Sequence, residues 1–374
     1  MLKTLTEINA VSGDEDLLAE FIVKNIKPYA TDIKIDTMGN VIAFKKGRKG
    51  GKLTHMLAAH MDEVGFIITK ITENGFLKFE EVGGISDQIL LTQRVEIGEN
   101  KVKGILGVKA VHLQSKDERE SLIKKKNMYI DIGAKDKADA EKRVKIGDYA
   151  TFCSKYTEFG TDKIKAKALD DRVGVYTLLE LIKDEYDEDI YFCFTVQEEV
   201  GLRGAQAGTL DIQPDFSIAL DVTIACDIPG TPAHDQVSHL GAGAAIKLYD
   251  GSVIADRRMV KFMKAMADAN KIKWQTEMLP AGGTDAGAMQ KFVPGGSIAG
   301  AISVPTRNVH QVIEMAHKDD LDASVALLTA CAMNVDKWDW SWNSVNECPA
   351  EKPAKAAKTA AKPAKAAAKK KKAK

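Results

Sequence analysis

Apolar and polar positions follow two rhythms along the chain. Short apolar runs bounded by turn residues (VIAFKKG, HMLAAH, IYFCFTV, DFSIALDV and SIAGAISV) read as buried strands. Between them, LDDRVGVYTLLELIKD sets Val173, Tyr176, Leu178, Leu179 and Ile182 at helical spacing, and VIADRRMVKFMKAMADANK and DDLDASVALLTACAMNV read as further helices. This alternation predicts an α/β fold: a mixed, largely parallel sheet flanked by helices. Residues 69–162 break the rhythm. ITKITENGFLKFEEVGG, QRVEIG, GILGV and IGDYATF are short β-rich pieces with glycine turns, interrupted by one helix-like stretch, DKADAEKRV. The pattern therefore predicts a main domain built from 1–68 and 163–345, with a small β-rich domain inserted over 69–162. Residues 346–374 are Lys/Ala/Pro low-complexity sequence with too little apolar bulk to offset chain entropy, and are expected to be disordered.

Charge changes this picture only at that end. Residues 351–374 hold ten lysines and one glutamate, and the whole chain is formally neutral, so a basic tail follows an acidic body. The tail reads as a solubilising extension, or as a weak charge-only contact with nucleic acid or an acidic surface. No apolar run reaches the roughly 18 residues of a membrane span. The N-terminus carries early acids rather than an apolar signal core. Five scattered cysteines without a CxxC argue for a reducing, cytoplasmic setting and against a cysteine-rich zinc site.

The candidate chemistry sits at predicted strand ends. HMLAAH ends at His60 and is followed by Asp62; IYFCFTV runs into Glu198 and Glu199; DFSIAL ends at Asp221; SIAGAISVPTRNVH reaches His310; and Asp170 and Asp171 precede a helix. Open α/β sheets place their sites beyond the carboxyl ends of the strands, so these residues could converge. Singly, each has an ordinary role. Asp170 or Asp171 could cap its helix, and the paired glutamates could open a solvated one. Together, two imidazoles and three carboxylates (His60, Asp170, Glu199, Asp221 and His310) suit two divalent ions such as zinc or cobalt. Glu198 is then left as a general base beside the cluster, and Asp62 could accept the other ring N–H of His60.

AAHMDEVGF, KALDDRVGVY, TVQEEVGLRGA, ALDVT, GGTDAGAM and PTRNVHQVIE resemble, in order and spacing, the TET and glutamyl (deblocking) aminopeptidases, whose members are often mislabelled endoglucanases. The resemblance covers about residues 1–340. It implies a phosphorylase/hydrolase-like metallopeptidase domain with an inserted dimerisation domain, acting on peptide substrates. It also implies roles. His60 and Asp221 would bind one metal, Glu199 and His310 the other, and Asp170 would bridge them. Glu198 would be the base, with Asp62 orienting His60. Self-association to a dimer and a tetrahedral dodecamer is implied as well. The GGTDAG loop receives no chemical step. The rival readings are a related dinuclear amidohydrolase (a carboxypeptidase, dipeptidase or N-deacylase) and a glycoside hydrolase built on a carboxylate pair.

Overall fold

The computed structural model describes residues 1–342, so the expected disorder of the tail lies outside the described residues. Among the described residues, eleven strands form one mixed sheet and six close a barrel. The sheet centre is parallel. Asp189–Thr195, Thr54–His60, Phe216–Ile224 and Ile298–Arg307 lie side by side in that order. Their sequences are nearly continuous apolar runs because both faces are covered. Leu57 and Ala59 face a layer holding helices Leu2–Glu7, Asp16–Ile26, Leu169–Leu181, Arg257–Asn270 and Lys318–Ala332. Met56 and Ala58 face the opposite layer, where Arg203–Ile212 and Asp285–Lys291 pack. Antiparallel strands complete both edges.

The register explains where a crevice opens. Thr195 pairs with His60 at the carboxyl edge. On the other side the last paired residues are Ala219 and Ala58. Asp221 would fall opposite His60 if pairing continued, but the two strands have parted by then. Phe216–Ile224 runs on past Asp221 alongside Ile298–Arg307, so this aspartate lies within a strand rather than at its end as the sequence suggested.

The barrel runs from Gly65–Ile71 to Tyr149–Phe152, and these two strands pair to close it. The expected boundary at 69 falls inside the first of them. The apolar run on either side of the Asp62–Val64 turn hides the break. Thr157–Phe159, before the expected boundary at 162, already belongs to the large sheet. Phe66 fills the barrel core, edge-on to Phe79 and Phe152 with ring centroids 5.1 and 5.2 Å away. At the junction of the two bodies, Glu63 accepts Lys167 Nζ at 2.6 and 2.7 Å and Arg172 Nη2 at 3.3 Å, all buried. No helix of the described residues is long and apolar enough to cross a membrane. Cys153, Cys193, Cys226 and Cys331 are free thiols.

His55, at the start of the central strand, is buried against Phe216 with ring centroids 5.6 Å apart. Burial pushes its imidazole down to about 4, against a smaller opposing pull from Asp189. The unfolded chain therefore binds one proton more than the folded chain between about pH 6.5 and pH 4. Stability from this group is complete above that window and drains as pH falls through it, by about 3 kcal/mol in all. Urea unfolding across this window should show His55→Phe flattening the acid-side loss; an unchanged slope would place the titration elsewhere.

Candidate metal centre

Each candidate side chain is delivered by a different element. His60 ends its strand and is buried. Its Nε2 lies 3.0 Å from Asp170 Oδ1 and 3.8 Å from Asp221 Oδ1. His310 Nε2 lies 3.1 Å from Glu199 Oε2 and 3.4 Å from Asp170 Oδ2. The five residues thus form two triads, His60–Asp170–Asp221 and Asp170–Glu199–His310, joined through Asp170. Within each triad the potential ligand atoms lie within 4.8 Å of one another.

Local chemistry separates the two adjacent aspartates. Both have non-helical backbone angles, and the peptide between them is cis. Asp171 takes the capping role, its Oδ1 accepting the Gly174 N–H at 2.9 Å. A Cβ at position 174 would come within 2.2 Å of that carboxylate, so the cap requires glycine there. Asp170 is thereby freed to face the histidines.

The paired glutamates sit on a turn whose backbone is held from elsewhere. Asp62 is buried; its Oδ1 accepts the Glu198 N–H at 3.0 Å and its Oδ2 the Glu199 N–H at 3.1 Å. The ring Nδ1 of His60 lies 3.1 Å from the Asp62 backbone carbonyl and 3.5 Å from its carboxylate. Asp62 thus orients His60 mainly through its main chain, and its carboxylate grips the glutamate turn.

Two further buried carboxylates were missed by sequence reasoning. Glu314 accepts the N–H of Asp170 through Oε2 and that of His310 through Oε1, both at 3.0 Å. It therefore fixes the backbone of one residue from each triad, including His310 at a left-handed φ of 60°. Asp285, in the GGTDAG loop, accepts Thr195 Oγ1 at 2.5 Å, and its Oδ1 has no hydrogen-bond partner. Neither belongs to a periodic pattern. The only signal was that each lies inside a motif already noted, Asp285 in GGTDAGAM and Glu314 at the end of PTRNVHQVIE.

The electrostatics describe a site with too much negative charge. Burial raises Glu198 well above the usual carboxylate range, with Asp221, Glu199 and Asp285 adding to the effect. Burial and Asp170 raise Glu199 to about 7, and burial does the same to Asp285. Burial would lower His310, but Asp170 and Glu199 carry it up to about 12. His60 is likewise raised despite burial, by Asp170, Asp221 and Asp62. Glu199 Oε1 is buried without a partner. Imidazoles that gain charge, carboxylates that resist it and an orphaned ligand oxygen together mark a cluster whose donor set suits cations.

Comparison with known proteins narrows the chemistry. Residues 39–327 match the M42 glutamyl aminopeptidase family. The chain belongs to that family. A protein of Acetivibrio thermocellus, provisionally named an aminopeptidase, is 43% identical over 88% of this chain and 96% of its own. The lysyl aminopeptidase of Pyrococcus furiosus is 31% identical over 91% of this chain and 98% of its own. Among solved structures, the Pyrococcus horikoshii TET1 peptidase, described as assembling into a tetrahedron or a large octahedral shell, superposes with a TM-score of 0.80. It is 36% identical and covers 89% of this chain and 98% of its own. The chain is therefore an M42 aminopeptidase, a hydrolase of peptide bonds, and the glycoside hydrolase reading falls away. M42 is a metallopeptidase family, which implies divalent metal, and the two triads are candidate ligands.

Because Glu314 holds both triads through main-chain N–H groups, Glu314→Ala should lower metal affinity about 10–100-fold. Glu314→Gln, keeping one amide oxygen as acceptor, should fall between. Competition with a chromogenic chelator reads this directly, and unaltered affinity in the alanine variant would deny Glu314 the role.

Proposed function

We propose that this M42 enzyme removes N-terminal residues from peptides using two divalent cations, zinc or cobalt, with Glu198 as general base. The observation that carries the reading is Asp170, whose two oxygens face two different histidines, His60 at 3.0 Å and His310 at 3.4 Å. A carboxylate so placed can serve two ions at once. His60 and Asp221 would hold one, Glu199 and His310 the other, and Asp170 both. The donor set fits, since two imidazoles and three carboxylates match borderline-hard cations and leave charges near balance. When bound, such cations acidify water and polarise a carbonyl.

The remaining work falls to the chain itself. Glu198 is buried beside the cluster, and its carboxyl is raised by burial and by neighbouring acids. Its place beside the cluster suits it to take a proton from the attacking water and return it to the leaving amine nitrogen. Asp62 keeps Glu198 and Glu199 pointed apart, one to the proton and one to the cluster, by binding both of their N–H groups. Low-dielectric walls strengthen each of these interactions. The barrel is proposed as a dimerisation domain, and the tetrahedron and the dodecamer described for TET1 structures support a tetrahedral dodecamer for this chain. The four free thiols among the described residues fit a reducing cytoplasm.

Metal content by mass spectrometry together with kinetics tests the assignment. Glu198→Gln should retain about two metals per chain while turnover drops about 10²–10⁴-fold. Asp170→Asn should lose tightly bound metal. A fully active glutamine variant would remove Glu198 as base, and two tightly held ions in the asparagine variant would remove Asp170 as the shared ligand.

A further inference from the structure

The segment Ala10–Glu15 (AVSGDE) has no part in the cluster, yet it lies folded against it. Ala10 and Glu63 exchange hydrogen bonds, Ala10 N–H to Glu63 Oε1 at 3.1 Å and Glu63 N–H to Ala10 carbonyl at 2.9 Å. Ser12 Oγ donates to Asp62 Oδ2 at 2.6 Å. Gly13 turns the chain at a φ of +93°, where a Cβ would stand 2.7 Å from Tyr149 Oη of the closing barrel strand. Only glycine fits both the angle and the space. The turn delivers Glu15, which is buried, to the backbone of the glutamate turn.

Glu15 occupies the position before helix Asp16–Ile26, and its backbone carbonyl accepts Leu18 and Ala19. Its side chain makes no cap to that helix. Instead Oε1 accepts the Gln197 N–H at 3.0 Å. Four successive N–H groups are then held by side chains from distant segments. Val196 is held by Asn40 at 3.0 Å, Gln197 by Glu15 at 3.0 Å, Glu198 by Asp62 at 3.0 Å and Glu199 by Asp62 at 3.1 Å. Gln197 needs such support, because it sits at a left-handed φ of 54°, which disfavours any residue with a Cβ. Without the Glu15 acceptor, Gln197 would relax toward an ordinary conformation and swing Glu198 with it.

We infer that Ala10–Glu15 is a positioning hook for the general base, with Glu15 holding the Gln197 backbone and Ser12 bracing Asp62. This rests on the reading of Glu198 as base. Glu15 touches no reacting group; it acts through the turn.

The test uses the full-length, metal-loaded chain and the variants Glu15→Ala, Glu15→Gln, Ser12→Ala and Glu198→Gln. Glu15→Ala should lower kcat about 10–100-fold, the scale of a small misplacement of a catalytic group, with KM changed less than about twofold. Metal content should be unchanged. Glu15→Gln, whose amide oxygen can accept the same N–H, should recover most of the rate. Ser12→Ala should show a smaller loss of the same kind. In the Glu198→Gln background, Glu15→Ala should have no further effect. Hydrogen exchange on metal-free protein should quicken over 195–201 in Glu15→Ala and return toward normal in Glu15→Gln. If Glu198→Gln is inactive but Glu15→Ala leaves rate and exchange untouched, the hook is overturned and the base stands. If exchange rises across the whole domain and Glu15→Gln restores nothing, Glu15 is structural only and the hook is again overturned. A fully active Glu198→Gln instead overturns the base, and is distinguishable from either result.

Discussion

Mutual repulsion among buried carboxylates is the constraint around which this molecule is organised. Asp62, Asp170, Asp171, Glu198, Glu199, Asp221, Asp285 and Glu314 are gathered about two imidazoles at one edge of the sheet. At an effective dielectric near 20, two unit charges about 4 Å apart interact by about 4 kcal/mol. A whole domain is stable by only about 5–15 kcal/mol. A few such pairs left uncompensated would unfold the chain, so each carboxylate must find an N–H, a proton or a cation. Asp62, Asp171 and Glu314 take N–H groups. Asp170 takes both histidines. Asp171, Glu199 and Asp285 each keep one buried oxygen with no hydrogen-bond partner. This incompletely neutralised remainder is what makes the cluster a candidate for divalent cations.

The sheet supplies the place for it. Parallel strands Thr54–His60 and Phe216–Ile224 stay paired only as far as Ala58 and Ala219. Beyond that point their carboxyl ends separate, and the gap admits side chains from the Asp170 segment, the glutamate turn and the His310 loop. Packing on both sheet faces is dense and apolar, so the polar crowd cannot migrate inward. The hydrophobic layers thus hold the charges at a fixed distance from one another.

Much of this could be read from residue order. His60, Asp170, Glu199, Asp221 and His310 stood out because acids and histidines recurred after apolar runs, and the structure brings all five together. The alternating domain and the β-rich insert were visible in the two rhythms of apolar residues. What escaped was whatever depends on contacts between distant segments. Barrel closure needs Gly65–Ile71 to pair with Tyr149–Phe152, and no local pattern encodes that. Asp285, Ser12 and Glu15 act through single hydrogen bonds across the fold, and Glu314 through one such bond and one local bond, a task with no periodic signature. Asp62 was noticed for its spacing from His60, but its carboxylate serves a turn well over a hundred residues later. The resemblance singled out Asp170 as the ligand, but which aspartate caps the helix stayed open until the Gly174 contact assigned that role to Asp171.

The barrel is inserted where the chain is least tolerant of displacement. Its outgoing stem begins at Gly65, just beyond His60 and Asp62, and its return stem, the chain after Phe152, joins the large sheet at Thr157–Phe159 and Lys163–Ala166 and ends shortly before Asp170. The two stems are bolted together by Glu63 and Lys167. A body hung this way behaves as a lever arm with its fulcrum beside the cluster. A load on the barrel therefore reaches the large domain through the segments that flank His60 and Asp170.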